Sequence, residues 1–293
     1  MMTFLLYSVT VLVWGTTWYA IKLQIGEASP ELSIFCRATL AAVLLIGWCL
    51  IKGYSLRFSK RDHLFLAALG LTMFSLHHIC IYHATHFIVS GVVAVVFSGV
   101  SFLSIVNNFI FYKVRPRWNL VLGACIGILG VFSFFSRDIL NVTLEDEALK
   151  GLFLAIVGCL IFSLGSVVSK RNHQEGLQIV PSLAIGMVYG SIALTLYMIF
   201  NQIPFYIPTT ITFWGSLLYL VIPGSIIGFF CYLKLIRSIG PERAGFATVL
   251  FPVVALGVSY LLEHYTFSPF DIVGLIFVLL GNLLVLKKIP SKI

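Results

Sequence analysis

Arg37 is the one residue that sets a formal charge well inside an apolar run of this sequence, in the stretch 31–51. An unpartnered guanidinium at that depth is costly in hydrocarbon. It either neutralises a carboxylate-bearing ligand, or it bonds helix-end carbonyls and snorkels outward. His77 and His78 lie in a second run, with Tyr82, His83 and His86 following. An imidazole there can bind a substrate or titrate near neutral pH. Adjacent helical residues point about 100° apart, so no more than one of the pair is expected to face a central cavity squarely. A metal site is not expected, since no acidic or cysteine partner is placed near the histidines. No Asp or Glu falls in the middle of any apolar run, so no carboxylate is offered that a proton or sodium ion would neutralise. A facilitator, an exchanger or coupling through another group is the expectation that remains.

Several other residues could line a ligand site. Trp14, Trp18, Tyr82, Tyr189, Tyr219, Tyr232 and Phe251 fall near the middle of their runs. Aromatic residues there also serve as packing or interface anchors. Ser98, Ser101, Ser163, Ser166 and Thr248 could hydrogen-bond a substrate or, equally, a neighbouring helix. Pro223-Gly224 and Pro252 interrupt the helical hydrogen-bond ladder near mid-run, which suits gating. Asn107 and Asn108 read as contacts between helices. Paired carboxylates at membrane depth, an HExxH motif and a Ser/His/Asp set are all missing. No catalytic residue, cofactor or metal ligand is therefore assigned, and an intramembrane enzyme is the weaker alternative.

These residues must be held by membrane helices. Of 293 residues, 59% are hydrophobic and 10% charged, and the mean hydropathy is +1.03. A soluble domain carries roughly 25% charged residues, more than this chain has to cover a surface with. Ten apolar segments are expected, near 4–22, 31–51, 64–83, 89–111, 118–136, 151–170, 181–200, 213–235, 244–262 and 270–286. Short turns such as Gly26-Glu27-Ala28-Ser29-Pro30 and Gly240-Pro241-Glu242 separate them. The segments are about twice the length of a barrel strand, so they must be helical. The run Phe4–Ile21 lacks a basic start and a cleavage site, and it reads as the first helix. The six cysteines fall inside apolar runs and read as small buried apolar residues.

The net charge of +8 follows the loops and forms no basic face, which argues against nucleic acid. Fifteen Lys and Arg fall on one side of the ten-segment path, including Lys52, Arg57, Lys113, Lys170, Arg243, Lys287, Lys288 and Lys292. The other side has Lys22, Arg137 and Lys150, with an acidic loop carrying Glu145, Asp146 and Glu147. Positive charge stays inside, so both termini are expected in the cytoplasm. An offset near 150 recurs along the chain: Tyr82 with Tyr232, Gly123 with Gly274, Gly130 with Gly281, Pro30 with Pro181, Lys22 with Lys170. Five helices per unit is an odd number, so the second unit enters from the opposite side. The expected fold is an all-α membrane protein, ten transmembrane helices as two inverted five-helix repeats. Residues 1–136 form the first repeat, 137–150 an extracytoplasmic connecting loop, and 151–293 the second repeat.

The chain resembles the drug/metabolite transporter superfamily, in particular its bacterial EamA-type permeases. The resemblance is carried by Trp14-Gly15 with Lys22, Pro30 with Arg37, and Gly240-Pro241-Glu242-Arg243-Ala244 followed by Pro252 and Glu263. Where members have a proline and a glutamate in the fourth helix, this chain has Phe102 and Lys113. That departure predicts a fourth helix straighter than the ninth. The resemblance implies a cavity lined by helices 1, 3, 4, 6, 8 and 9, which favours Trp14, Tyr82 and Tyr232. It implies a secondary carrier of the inner membrane that moves a small polar metabolite, an amino acid or related compound, outward by alternating access. Import, exchange of a larger metabolite, a channel and a scaffold are the alternatives. The expected binding residues are Trp14, Trp18, Arg37, His77, His78, Tyr82, Ser98, Ser101, Ser166, Tyr232, Thr248 and Phe251, with Pro223, Gly224 and Pro252 as gating residues. The expected partners are a small-molecule substrate and the lipid bilayer. The sequence sets no oligomeric state.

Overall fold

Backbone amides in an apolar medium must be satisfied within their own segment, and the computed structural model meets this demand with helices. It describes residues 2–88, 90–141, 147–206, 208–262, 266 and 268–286. The expected loop residues Glu145 and Asp146, the tail residues Lys287, Lys288 and Lys292, and the motif residue Glu263 lie outside the described residues. Nine continuous helical stretches run through the described residues. They are α1 (Met2–Lys22), α2 (Pro30–Ile51), α3 (Lys60–Phe87), α4 (Ser90–Tyr112), α5 (Trp118–Asn141), α6 (Glu147–Gln174), α7 (Ile179–Phe200), α8 (Ile211–Leu262) and α9 (Pro269–Leu286). Seven of them are long and apolar enough to cross a membrane, while α5 and α9 contribute the shorter apolar stretches Trp118–Gly130 and Pro269–Gly281.

Local chemistry sets the helix starts and stops. Ser29 caps α2, accepting a bond from Leu32 N at 3.2 Å, and Pro30 takes the first helical position. At α3, Ser59 accepts from Asp62 N and donates to the Asp62 carboxylate at 2.6 Å. Thr210 caps α8. Gly53 and Gly176, at φ 68° and 79°, end α2 and α6 in the left-handed conformation that glycine adopts without strain.

Five interruptions shape the described helices, one of them the 3-10 stretch Phe246–Leu250 that leads α8 into Pro252. α3 widens into a π-helical segment at Gly70–Leu76, and α8 does the same at Leu220–Ile227, around Pro223. α8 is then broken at Gly240, at φ 83° and ψ 161°. The expected turn at Gly240-Pro241-Glu242 is therefore a one-residue break rather than a loop, because Pro241 restarts the helix at once. The 52 residues of α8 would span about 78 Å if straight, more than twice the roughly 30 Å hydrocarbon core. The break instead gives two arms, 211–239 and 241–262, and both pack against α1. The remaining interruption is a turn at Ser98-Gly99 in α4. The segment expected to be straighter than the ninth, 244–262, thus carries a turn of its own, while that ninth segment carries a 3-10 stretch at Phe246–Leu250 ahead of Pro252. Ser98 sends its hydroxyl to Val95 O at 2.6 Å and shares its N–H between Ala94 O and Val95 O, which tightens the turn without proline.

Large apolar side chains cover the outside, among them Phe4, Ile51 and Phe200, the last 87% exposed. Water would not tolerate such a coat; a bilayer requires it. Cys125 is also exposed, so it does not share the burial expected of the cysteines. α5 and α9 pack chiefly on each other, close enough that a Cβ at Gly130 would lie 2.6 Å from Gly274 O. The remaining helices enclose an aromatic interior.

Candidate functional site

The interior holds a chamber of about 40 Å³ lined by Trp14, Thr17, Trp18, Ile21, Arg37, His77, His78, Ile81, Phe97, Phe162, Phe229 and Phe251. A volume of that size accommodates only one or two waters. Five helices contribute through their middles: α1, α2, α3, α4 and α6, together with both arms of α8.

Trp14 organises the walls. Its ring lies 4.8 Å from Phe229, 5.1 Å from Tyr232, and 5.8 Å from both Phe162 and Phe251. Trp18 packs edge-on against Phe97 at 5.3 Å. Trp14 donates its indole N–H to Gly224 O at 2.9 Å, whereas the Trp18 N–H is buried with no partner. An unpartnered buried donor carries a desolvation penalty of about 1–3 kcal/mol, which a ligand acceptor would relieve.

Arg37 is 4% exposed and faces the chamber from α2. Its Nε donates to Ser225 Oγ at 2.6 Å. That partner is neutral. No Asp or Glu is among the residues lining the chamber. A cation in such surroundings favours an anionic guest over an empty space.

Both His77 and His78 line the chamber, with rings 3.8 Å apart. The expectation that only one could face it is corrected. The wide turns before them leave Thr72 O available, and His77 Nδ1 bonds that carbonyl at 3.0 Å, drawing its ring toward His78. A carbonyl only accepts, so Nδ1 carries the hydrogen. His78 Nδ1 is buried and unpartnered. Among the described residues no group of three or more His, Cys, Asp or Glu could hold a metal.

The two tyrosines 150 residues apart are not among the residues lining the chamber, and neither is Ser166. Tyr82 donates to Gln24 Oε1 at 3.0 Å, and Tyr232, packed on Trp14, shares a bond with Ser166 at 3.1 Å. Ser98, Ser101 and Thr248 are not brought to the chamber either; their hydroxyls donate to Val95 O, Ser98 O and Gly245 O within their own helices. Ser163 accepts from Asn107 Nδ2 at 2.7 Å. Tyr189 bonds His63, and Tyr219 bonds Thr16, both away from the chamber. Pro223 and Gly224 sit in the π segment of α8, and Pro252 follows Phe251 in its second arm.

Polar contacts tie the helices beyond each tyrosine. On the Tyr82 side, Glu31 of α2 meets His83 of α3 at 2.8 Å. On the Tyr232 side, Lys170 of α6 donates to Asn108 Oδ1 of α4 at 2.7 Å, and Asn108 Nδ2 donates to Glu242 of α8. Arg171 pairs with Asp62 of α3 at 2.8 Å. Phe97, Phe162 and Phe229 escape sequence reading because nothing distinguishes them among 25 phenylalanines. Ser225 carried a signal, since Ser75 precedes it by the repeat offset of 150.

A family model described as the EamA-like transporter family matches two stretches of this chain, residues 1–136 and 149–287. The uncharacterized transporter YoaV of Bacillus subtilis is 25% identical over 279 residues, covering 94% of this chain and 92% of its own. The uncharacterized inner membrane transporter YedA of Escherichia coli K12 is 26% identical over 253 residues, with 84% and 78% covered. A solved crystal structure superposes with a TM-score of 0.75 at 18% identity, covering 97% of this chain and 96% of the other, and so shares the fold.

Proposed function

This chain belongs to the EamA-like transporter family, and on that premise we propose that it is a secondary carrier for a small polar metabolite bearing a carboxylate. An amino acid or a related compound matches the chemistry of the lining, its carboxylate on Arg37 and its body against Trp14, Trp18, Phe97 and Phe251 once the chamber of about 40 Å³ widens to admit it. The observation that carries this reading is the buried Arg37 in an aromatic chamber whose lining has no acidic residue. The unpartnered Trp18 N–H and His78 Nδ1 add polar groups for the ligand to meet. An ammonium group, where present, would find aromatic faces rather than a carboxylate.

Transport proceeds by alternating access across an inner membrane, in ten crossings that form two inverted five-helix repeats. Several features support this: the length of α8 with its break at Gly240, the two stretches matched by one family model, and π segments 150 residues apart. Lys and Arg distribution supports cytoplasmic termini, which puts the Glu242 side in the cytoplasm. The family resemblance favours export.

Uptake of labelled amino acids, keto acids, neutral sugars and amines into liposomes holding the purified protein, either unloaded or preloaded with the same unlabelled compound, with and without a proton gradient, tests the reading. Saturable uptake of carboxylates that Arg37→Gln lowers about 10- to 100-fold is the expected result. Uptake confined to sugars or amines would overturn it.

A further inference from the structure

A charge buried in a chamber must keep an acceptor throughout any movement that carries it from one side to the other. In this protein the acceptor in the empty state belongs to the moving part itself. We propose that the carrier is an obligate exchanger. With the site empty, Arg37 holds the π segment of α8 through Ser225; a bound carboxylate takes over the guanidinium and frees that segment to bend. This rests on the reading of Arg37 as the substrate's counter-charge.

Wide π turns around Pro223 leave carbonyls to be met from outside the normal ladder. Two of them are met by groups that connect to the chamber. Ser225 donates its single hydroxyl hydrogen to Leu220 O at 2.9 Å and accepts Arg37 Nε at 2.6 Å. Trp14, also a chamber residue, donates to Gly224 O at 2.9 Å. The segment packs directly on α1 and α2, which carry these two side chains. A carboxylate seated on Arg37 competes with the Ser225 hydroxyl for Nε, and a charged acceptor outbids a neutral one, since such bonds are about twice as strong.

The corresponding segment of α3 sharpens the point. Gly70–Leu76 has its serine at the same register, with Ser75 Oγ 3.3 Å from Gly70 O and 3.1 Å from Leu71 O. Ser75 and Ser225 are 150 residues apart, and the position 150 residues after Arg37 is Met187. The π segment of α3 therefore has no cation at the matching place. One of the two segments is tethered by a charge, the other by its own backbone.

Reorientation of the empty carrier would shift α8 against α2 and strip Arg37 of Ser225. The chamber has room for only one or two waters in place of the lost acceptor. The loaded carrier avoids this penalty because the substrate brings its own oxygens. Empty return is blocked, loaded return is not, and flux in one direction requires a ligand for the way back.

The test uses proteoliposomes and three labelled probes: pyruvate, benzoate and phenylalanine. Initial uptake into vesicles preloaded with the same unlabelled probe is compared with uptake into empty vesicles. For wild type, preloading raises the rate at least tenfold for whichever probe is carried. Ser225→Ala removes the tether and leaves Arg37 in place; its ratio falls to near one, because uptake into empty vesicles rises. Ser75→Ala keeps the wild-type ratio, whatever it does to the absolute rate. Equal rates into preloaded and empty vesicles for wild type would overturn the proposal while leaving the carrier reading intact, and that comparison needs no variant to fold. A ratio in Ser225→Ala equal to that of wild type would overturn the role of Ser225. Uptake of no probe in either arrangement would overturn the counter-charge reading, and this inference with it.

Discussion

Arg37 shows how far a single residue can be read. Its charge inside an apolar run signals either a ligand contact or a structural bond, and in the structure the side chain lines the chamber and bonds Ser225. Arg37→Gln keeps a donor for Ser225 and loses the charge. Uptake of a carried carboxylate is expected to fall about 10- to 100-fold, the worth of a bond to a charged group at ~1.5–3 kcal/mol, with membrane yield unchanged. Trp18→Phe makes a cleaner separation. Its N–H is buried with no protein partner, so removing it breaks no bond within the protein and thermal stability in detergent should not fall. Half-saturation should rise about fivefold, matching one neutral hydrogen bond near 1 kcal/mol. A drop in stability with unchanged half-saturation would make Trp18 a packing residue. The walls Phe97, Phe162 and Phe229 were illegible in the sequence because an apolar side chain in a membrane helix looks the same whether it faces lipid or a chamber.

At the scale of the element, the breaks in the helices divide into two kinds. Pro223, Gly240 and Pro252 announce themselves, since proline and glycine disrupt a helix for reasons visible in their covalent structure. The π segment at Gly70–Leu76 and the turn at Ser98-Gly99 contain no proline, and in each a serine hydroxyl bonds a nearby carbonyl. Such competition between hydroxyl and backbone is favoured by serine but not dictated by it. The α5–α9 pair offers a separate test. Gly130→Ala drives a methyl into Gly274 O, a backbone atom that cannot rotate away, and overpacking of this kind costs about 1–3 kcal/mol. A lower melting temperature in detergent is expected, with exchange unchanged, because neither helix lines the chamber. Loss of exchange in protein that melts normally would show that the pair moves during the cycle.

Across the whole molecule, the proposed alternating access makes the contacts beyond each tyrosine candidates for holding the chamber shut. Asn108 bridges Lys170 and Glu242, joining α4, α6 and α8 on the side assigned to the cytoplasm. Asn108→Ala removes two charge-assisted bonds, each worth ~1.5–3 kcal/mol, and should shift the equilibrium toward a form open on that side. Ser166→Cys in a background freed of the six native cysteines reports this shift: an impermeant maleimide applied to the cytoplasmic face should label it at least tenfold faster in the Asn108→Ala variant. Equal labelling would mean that Tyr232, rather than the polar bridge, holds that side shut. The arrangement of helices that makes such a bridge possible was implied by the repeat offset. The identity of its members was not, because Asn108, Lys170 and Glu242 are 62 and 72 residues apart along the chain.

Hydrophobic length, loop charge and the 150-residue offset are local or periodic properties, so the sequence by itself determined that this chain is a helical membrane protein of a transporter family. It also marked Arg37 as a charge in need of a partner, because the cost of burying a guanidinium does not depend on which helix stands next to it. The partner did depend on that. Ser225 lies 188 residues from Arg37, and only the packing of α8 against α2 brings its hydroxyl within reach. The tertiary structure likewise decided that both histidines face one chamber and that Ser98, Ser101 and Thr248 spend their hydroxyls on their own helices. Each of these outcomes turns on a direction in space, which the order of residues leaves open until the helices are set against one another.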